Sequence, residues 1–195
     1  NVFSTGFFNN TADFDLGPSS FNMSSNGLED IYIMKLNKFG NFVWAKQIGS
    51  TSSDIGYSII LDANCNVYST GYFSSPSDFD PGTGIFNIIN YGGNDIYVYK
   101  LDSSGNFIWA KQIGGTGIDE AFSITVDISG DIYTAGKTGG DGFINKLDWA
   151  GNFVWAEQIA GSGFNHANCL TLDNSGNVYT AGFFYGTSDF DQGPG

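Results

Sequence analysis

Pairs of aspartates separated by one phenylalanine are the residues of this chain best suited to chemistry. The motif Asp-Phe-Asp occurs three times, and each copy is closely followed by a Gly-Pro or Pro-Gly step. Two carboxylates two positions apart in an extended segment point to the same side. Together with backbone carbonyls and water they could supply the oxygen ligands that Ca²⁺ requires. The pattern therefore predicts candidate metal ligands at Asp13, Asp15, Asp78, Asp80, Asp189 and Asp191.

A purely structural role is the alternative for the same motif. The spacing is not that of an EF-hand loop. The first aspartate of each copy could instead accept a hydrogen bond from the backbone two residues further on and so stabilise a turn. The phenylalanine would then pack the loop onto the domain. The sequence leaves both interpretations open, and Ca²⁺ is the only cofactor it suggests.

No other residues form a convincing catalytic set. The single histidine, His166, has no repeated partner, and its position beside a turn favours a surface location. The two cysteines, Cys65 and Cys169, lack metal-binding spacing, and we expect free buried thiols rather than a disulfide. We therefore predict no catalytic residues, no residues that bind an organic cofactor, and a protein that is not an enzyme.

The elements that must position these residues come from an internal repeat. The segment DIYVYKLDSSGNFIWAKQIGG, starting at Asp95, has close copies starting at Asp30 and Asp141. The tryptophans of the three copies are separated by 65 and then 46 residues. A second segment, of the type NVYSTG, recurs with spacings of 65, 65 and 46. Such periods are typical of chains built from stacked copies of one supersecondary unit.

Each repeat predicts four short antiparallel strands. Alternating apolar residues flank polar turns that carry glycine, as in β-hairpins, and no stretch shows helical periodicity. Four strands in about 45 residues are typical of a β-propeller blade. We predict an all-β fold of about three and a quarter blades from a larger ring, with thirteen strands. The predicted boundaries are a partial blade at 1–50, blades at 51–115 and 116–161, and a partial blade at 162–195.

The repeats differ between the second and third strands of each unit. The Asp-Phe-Asp motif lies in an insertion there, which the third copy replaces by Lys137–Gly140. The repeated tryptophans, Trp44, Trp109 and Trp155, are predicted to anchor one blade on the next, because burial of an indole stabilises a fold strongly. Stacking of an exposed tryptophan row on sugars is the alternative.

Charge restricts the partners of the protein. The chain has 20 acidic residues against seven lysines and no arginine, giving a formal net charge of −13. Nucleic-acid binding and electrostatic attraction to anionic membranes are therefore disfavoured. No apolar run is long enough for a membrane span.

The joint pattern of NVYSTGYF, DFDPG and GGNDIYVYKLDSSGNFIWAKQIGG resembles the bacterial SBBP (seven-bladed β-propeller) repeats. The resemblance covers essentially the whole chain. It implies a propeller in a secreted or cell-surface protein and implies no catalytic residues. The run from Leu101 to Trp109 also looks like the tryptophan-docking repeat of quinoprotein propellers, but the chain offers no distinctive set of cofactor ligands.

These observations predict a structural or interaction module for adhesion or assembly, located outside the cell or on its surface, with a protein or cell-surface partner. The alternatives are a calcium- or carbohydrate-binding module and a fragment of a propeller enzyme. Because the chain starts and stops within repeats, we expect a piece of a longer protein. Head-to-tail association through open blade edges is the competing explanation.

Overall fold

The computed structural model describes residues 1–190. This part of the chain is all-β and contains no helix. It therefore has no helix that could span a membrane. The strands follow one another along the chain and pair only antiparallel. Their bounds are β1 Val2–Asp13, β2 Asn22–Leu36, β3 Phe42–Ile48, β4 Ile55–Leu61, β5 Val67–Phe73, β6 Ser77–Asp78, β7 Asn87–Ile88, β8 Asp95–Leu101, β9 Phe107–Ile113, β10 Asp119–Val126, β11 Ile132–Thr138, β12 Asp141–Leu147, β13 Phe153–Ile159, β14 Asn165–Leu172 and β15 Val178–Phe184.

Four of the sheets are the blade units predicted from the repeat. The first has the order β1-β2-β3, the second β4-β5-β8-β9, the third β10-β11-β12-β13 and the fourth β14-β15. The predicted succession of strands, in which the first unit lacks its first strand and the last has only two, is therefore confirmed within residues 1–190. The small β6-β7 ladder was not predicted.

Polar turns join the strands of each sheet as their composition indicates. The last hairpins of the first three sheets turn at Gly40, Gly105 and Gly151, whose φ angles are 82°, 82° and 80°. Glycine adopts this left-handed conformation without the steric cost that a Cβ would bring. The aspartate or asparagine that opens each turn accepts backbone hydrogen bonds from the residues two and four positions later, as Asp102 does from Ser104 and Asn106.

Successive sheets pack face to face, with their first strands adjacent. β4 lies next to β10, β10 lies next to β14, and β1 takes the place beside β4 because the first sheet lacks a strand in this position. One apolar cluster fills the junction of the first and second sheets, including Ile31, Ile33, Tyr97 and Leu101, all with no exposed surface. Similar clusters fill the next two junctions.

The insertion lies between the second and third strands of a unit, as predicted. In the first copy it lengthens β1 and β2 into one long hairpin, and in the second copy it forms the β6-β7 ladder. In the third copy, β11 passes to β12 through two glycines, Gly139 and Gly140, both with positive φ. The flanking strands keep the same pairing with or without the insertion.

Candidate functional site

The first two Asp-Phe-Asp motifs form the same hydrogen-bonded turn. Oδ1 of Asp78 accepts the backbone N–H groups of Asp80 and Phe86 at 3.0 and 2.8 Å, and Oδ1 of Asp80 accepts the N–H of Gly82 at 2.8 Å. In the first copy Asp13 and Asp15 accept the equivalent groups, Asp15 N, Phe21 N and Gly17 N, at 2.8–3.0 Å. This is the turn-stabilising role that the sequence offered as an alternative to metal binding.

The phenylalanine of the motif fastens each loop to its sheet. Phe79 is fully buried, with its ring centroid 5.4 Å from that of Phe73 and 5.5 Å from that of Tyr97. Phe14 lies 5.2 Å from both Phe8 and Tyr32 in the same way. The predicted packing of the loop by this residue is therefore confirmed in these two copies.

The third copy is only partly described. Phe190 packs on Phe184 with centroids 5.3 Å apart and remains 63% exposed, and Asp189 N donates to the carbonyl of Ala160. Asp191 lies outside the described residues. Among residues 1–190 no three or more His, Cys, Asp or Glu side chains are grouped so as to hold a metal ion. Calcium binding by these loops stays a prediction.

Each of the first three sheets carries a cross-strand ladder of an aromatic residue, a lysine and a tryptophan. The lysine amine lies 5.3, 4.8 and 5.0 Å from the aromatic ring centroid in the three copies, which is cation–π geometry. The aromatic ring also contacts the indole edge-on, at 6.0–6.2 Å. The ladders are Phe3–Lys35–Trp44, Tyr68–Lys100–Trp109 and Tyr133–Lys146–Trp155.

These ladders place the repeated tryptophans half-buried at the junctions between sheets, as the packing interpretation predicted. They do not form an exposed row for sugar stacking. Sequence reasoning overlooked the lysines, although a Lys-Leu pair recurs in each copy. Burial lowers the pKa of Lys100, and Asp62 acts in the opposite direction.

A partly exposed row of aromatic rings crosses the adjacent first strands β4, β10 and β14 and extends onto β5 and β15. We define the aromatic row as five rings with successive centroid distances of 5.9, 5.4, 5.5 and 4.5 Å: Tyr72, Tyr57, Phe122, His166 and Phe183. Tyr57 and Phe122 are the extra residues of β-bulges, which turn their side chains out of the regular strand pattern. Tyr57 is 45% and Phe183 48% exposed.

The electrostatics of the row favour neutral rings. Burial raises the pKa of Tyr57 to about 12, with Glu120 contributing, so its hydroxyl stays protonated. Burial and the nearby Lys137 lower the pKa of His166, whereas Glu120 raises it. Glu120 and Lys137 form an ion pair at 3.4 Å beside the rings. The row is thus an aromatic strip bordered by a neutralised charge pair.

Two sequence expectations about single residues were wrong. His166 was expected at the surface beside a turn, but it is half-buried in β14 between two phenylalanine rings. Cys65 and Cys169 are free thiols, as expected, but they are exposed rather than buried. Cys65 lies in the turn between β4 and β5 with φ 62°.

The comparison with protein families agrees with this architecture. Residues 43–75 and 108–144 match the SBBP family, described as a β-propeller repeat. Each match begins in the last strand of one sheet and continues into the next sheet, so it spans a sheet junction. These two segments are therefore similar to SBBP β-propeller repeats, and the resemblance found in the sequence is confirmed.

Two curated proteins share a part of this chain. An uncharacterized WD repeat-containing protein of Acanthamoeba polyphaga mimivirus is 30% identical over 121 residues, which are 60% of this chain and 9% of that protein. The regulatory protein FlaEY of Caulobacter vibrioides is 24% identical over 112 residues, 57% of this chain and 12% of that protein. The chain thus spans about a tenth of the length of these relatives.

Among solved structures, a chain of the crystal structure of the nidogen/laminin complex aligns with 14% identity and a TM-score of 0.32. The alignment covers 87% of this chain and 66% of that chain.

Proposed function

We propose that this β-propeller repeat chain is a non-enzymatic interaction module of an extracellular or cell-surface protein, acting in adhesion or assembly. The aromatic row carries the proposal. Aromatic side chains are enriched at protein interfaces because they bury large areas at a low cost in conformational entropy. The matches to SBBP and WD repeats support a role in protein binding.

The ring chemistry favours contact over catalysis. The side chains that converge where the first strands meet are mostly aromatic, and the charges beside them are paired with each other. A propeller enzyme would need unpaired polar groups directed at a bound substrate. The acidic surface, with a net charge of −13, favours partners that carry positive charge around an apolar centre.

The test uses binding of fluorescently labelled chain to intact cells of the organism that encodes it. The double variant Tyr57→Ser and Phe183→Ser removes two exposed rings of the row and should lower binding at least tenfold. The control is Ile128→Ser, which changes a fully exposed apolar residue in the turn between β10 and β11. Equal binding of the double variant and the wild-type chain would refute the proposed surface.

Location and self-association need their own measurements. Surface exposure is tested by protease treatment of intact cells that carry a tagged full-length protein, and a protected tag would contradict it. We also propose pairing between copies through the outer edges of β1–β3 and β14–β15, which expose backbone groups. Light scattering at increasing concentration should then show species above 20.9 kDa.

Calcium binding by the Asp-Phe-Asp loops is a second proposed property. It is supported by the identical turn geometry of the first two copies, in which both carboxylates of each loop accept backbone N–H groups of the same turn. A carbohydrate site built on repeated indoles has no comparable support, since among the indoles of residues 1–190 only the non-repeated Trp149 is largely exposed, at 64%.

A further inference from the structure

An acidic residue at each sheet junction faces the residue that opens the next sheet. It lies on the third strand of its unit, and its partner stands at the start of the first strand of the following unit. The first two pairs consist of two aspartates, and a hydrogen bond links the third pair. The pairs are Asp30 with Asp54, Asp95 with Asp119, and Asp141 with Asn165.

The pair Asp95 and Asp119 shows the problem such a junction poses. Both residues are buried, at 0% and 3% exposure. A methyl group placed on Gly114 would lie 2.7 Å from Oδ2 of Asp119 and 2.9 Å from Oδ1 of Asp95. The two oxygens therefore border the same small space beside this glycine. Two ionised carboxylates held together without water repel each other strongly.

The hydrogen bonds identify which oxygen lacks a partner. Oδ2 of Asp95 accepts the N–H of Tyr91 at 2.7 Å and Nε2 of Gln112 at 2.9 Å. Both oxygens of Asp119 accept backbone N–H groups, from Gly115 at 2.7 Å and Gly139 at 3.0 Å. Oδ1 of Asp95 is buried and has no hydrogen-bond partner among the described residues. A buried oxygen of this kind destabilises the fold unless it accepts a hydrogen bond or carries a proton.

The first junction also has a buried carboxylate oxygen without a hydrogen-bond donor. Oδ2 of Asp30 accepts the N–H of Asn26 at 2.9 Å and Nε2 of Gln47 at 2.7 Å, whereas its buried Oδ1 has no hydrogen-bond partner within residues 1–190. Asp54 is satisfied through both oxygens by Ser50 and Ser74. The same single oxygen is therefore left without a donor in both acidic pairs.

The third junction shows what the other two lack. There an asparagine replaces the second aspartate, and Nδ2 of Asn165 donates to Oδ1 of Asp141 at 3.2 Å. The amide supplies a hydrogen at the place where the acidic pairs have only oxygens. An amide N–H can take the place of the O–H of a protonated carboxyl group, but it cannot take the place of a bound metal ion.

We propose that Asp95 and Asp119 share one proton, carried on Oδ1 of Asp95 and donated to Oδ2 of Asp119, and that Asp30 and Asp54 hold a second one in the same way. Each shared proton forms a hydrogen bond across a junction between two sheets. The packing of the first three sheets on one another is therefore sensitive to pH, whereas the packing of the fourth sheet on the third is not.

The surroundings of both pairs agree with protonation. Burial raises the pKa of Asp95, and the charge of Asp119 adds to this effect. Burial likewise raises the pKa of Asp30 and of Asp54, the latter with a contribution from Asp30. Within residues 1–190 neither acidic pair forms an ion pair with a lysine, and the nearby Lys137 is bound to Glu120. Other titratable groups near the pairs are Glu120 at the second junction, and Glu29, Tyr72 and Tyr97 at the first.

The sign of the effect follows from linkage. A carboxyl group with a raised pKa in the folded state retains a proton that the unfolded chain has lost. Stability from each pair is complete below the ordinary aspartate value of about 4 and is lost as the pH rises through the raised pKa. Across that window the folding equilibrium constant falls by about tenfold per pH unit for each pair.

The test is urea unfolding of the full chain between pH 4.5 and 8 for the wild type and for Asp30→Asn, Asp95→Asn and the double variant. Asparagine at 95 keeps one oxygen for Tyr91 and Gln112 and places an amide at the position of Oδ1. Each single variant should remove about half of the decline in stability with pH, and the double variant should remove nearly all of it. Identical pH profiles for the wild type and the double variant would overturn the proposal.

A converse variant and a metal control complete the test. Asn165→Asp turns the third junction into an acidic pair and should add a decline of about tenfold per pH unit. An unaltered profile of this variant would count against the shared proton. The same titrations are run with Ca²⁺ and with a chelator. If Ca²⁺ shifted the wild-type midpoint but not that of Asp95→Asn, the pair would be a cation site and the shared proton would be refuted.

Discussion

Gly105, in the last turn of the second sheet, lies against the indole of Trp44 in the first sheet. A methyl group on Gly105 would approach the ring atom Cε2 of Trp44 to 3.1 Å. Gly151 and Trp109 repeat this relationship at the next junction, at 3.3 Å from Cδ2. The repeated glycine therefore meets two requirements. It adopts the positive φ of the turn, and it leaves room for the tryptophan of the preceding sheet.

Substitution of Gly105 by alanine should separate these two requirements when it is compared with Gly40→Ala. Both glycines have φ 82°, but a methyl group on Gly40 meets nothing within 4 Å. The left-handed conformation costs either variant about 1–2 kcal/mol. Gly105→Ala should lose roughly 1 kcal/mol more, because the indole must shift. Urea unfolding measures both, and equal losses would show that the indole contact does not matter.

Phe79 should be the most sensitive position of the second insertion. It is fully buried against Phe73 and Tyr97, so Phe79→Ala should lower the free energy of unfolding by about 3–5 kcal/mol. Ile85→Ala, at a 78% exposed position of the same insertion, should cost less than about 0.5 kcal/mol. Thermal unfolding of the two variants tests this, and similar melting temperatures would contradict the packing role of Phe79.

The turn aspartates should stabilise the fold in the opposite pH direction to the buried pairs. Hydrogen bonds from Asn106 lower the pKa of Asp102, and those from Asn152 and Asn177 lower the pKa of Asp148 and Asp173. Their stabilisation is present above about pH 4 and is lost as the pH falls through the lowered pKa values. Between pH 4 and 2, the free energy of unfolding of Asp102→Asn should therefore fall less than that of the wild type.

Asn37 provides the reference for that measurement. It opens the equivalent turn of the first sheet and accepts the N–H groups of Phe39 and Asn41 without a charge. Asn37→Asp should gain acid sensitivity where Asp102→Asn loses it. Parallel acid transitions for the wild type and both variants would contradict the assignment.

Calcium should raise the melting temperature if the Asp-Phe-Asp loops bind it. Saturation at a hundredfold excess over Kd stabilises a fold by about 2.7 kcal/mol per site. The double variant Asp78→Asn and Asp80→Asn keeps the turn oxygens but removes the charges, and should lose the rise from that loop. Replacement of residues 74–94 by the short third-copy connection should do the same. An unchanged melting curve with and without chelator would remove the metal interpretation.

The sequence predicted the features that repeat in register. Four strands per unit, the place of the insertion, the turn glycines and the packed phenylalanine were all visible because each copy restates them. The ladder lysines repeat too, but their role depends on a strand pairing that the sequence does not show. Tyr68 and Lys100 are 32 residues apart along the chain and are adjacent only across β5 and β8.

The features that the sequence did not reveal depend on contacts between residues that occupy different positions in neighbouring units. The aromatic row joins bulge residues such as Tyr57 with His166, which occupies another place in its unit. The acidic pairs join the third strand of one unit to the first strand of the next. Contacts between unlike positions of neighbouring units leave no repeated pattern in the sequence, and neither does the exposure of a single thiol.

The connection between the second and third strands tolerates very different lengths. β5 and β8 close on the pair Phe73 and Asp95, and β11 and β12 close on Thr138 and Asp141, with identical pairing behind them. A foreign peptide grafted between Gly139 and Gly140 would therefore be displayed from a rigid platform without any change to the strands beneath it. Because successive units can each carry their own graft, the stack can serve as a scaffold for evenly spaced epitopes.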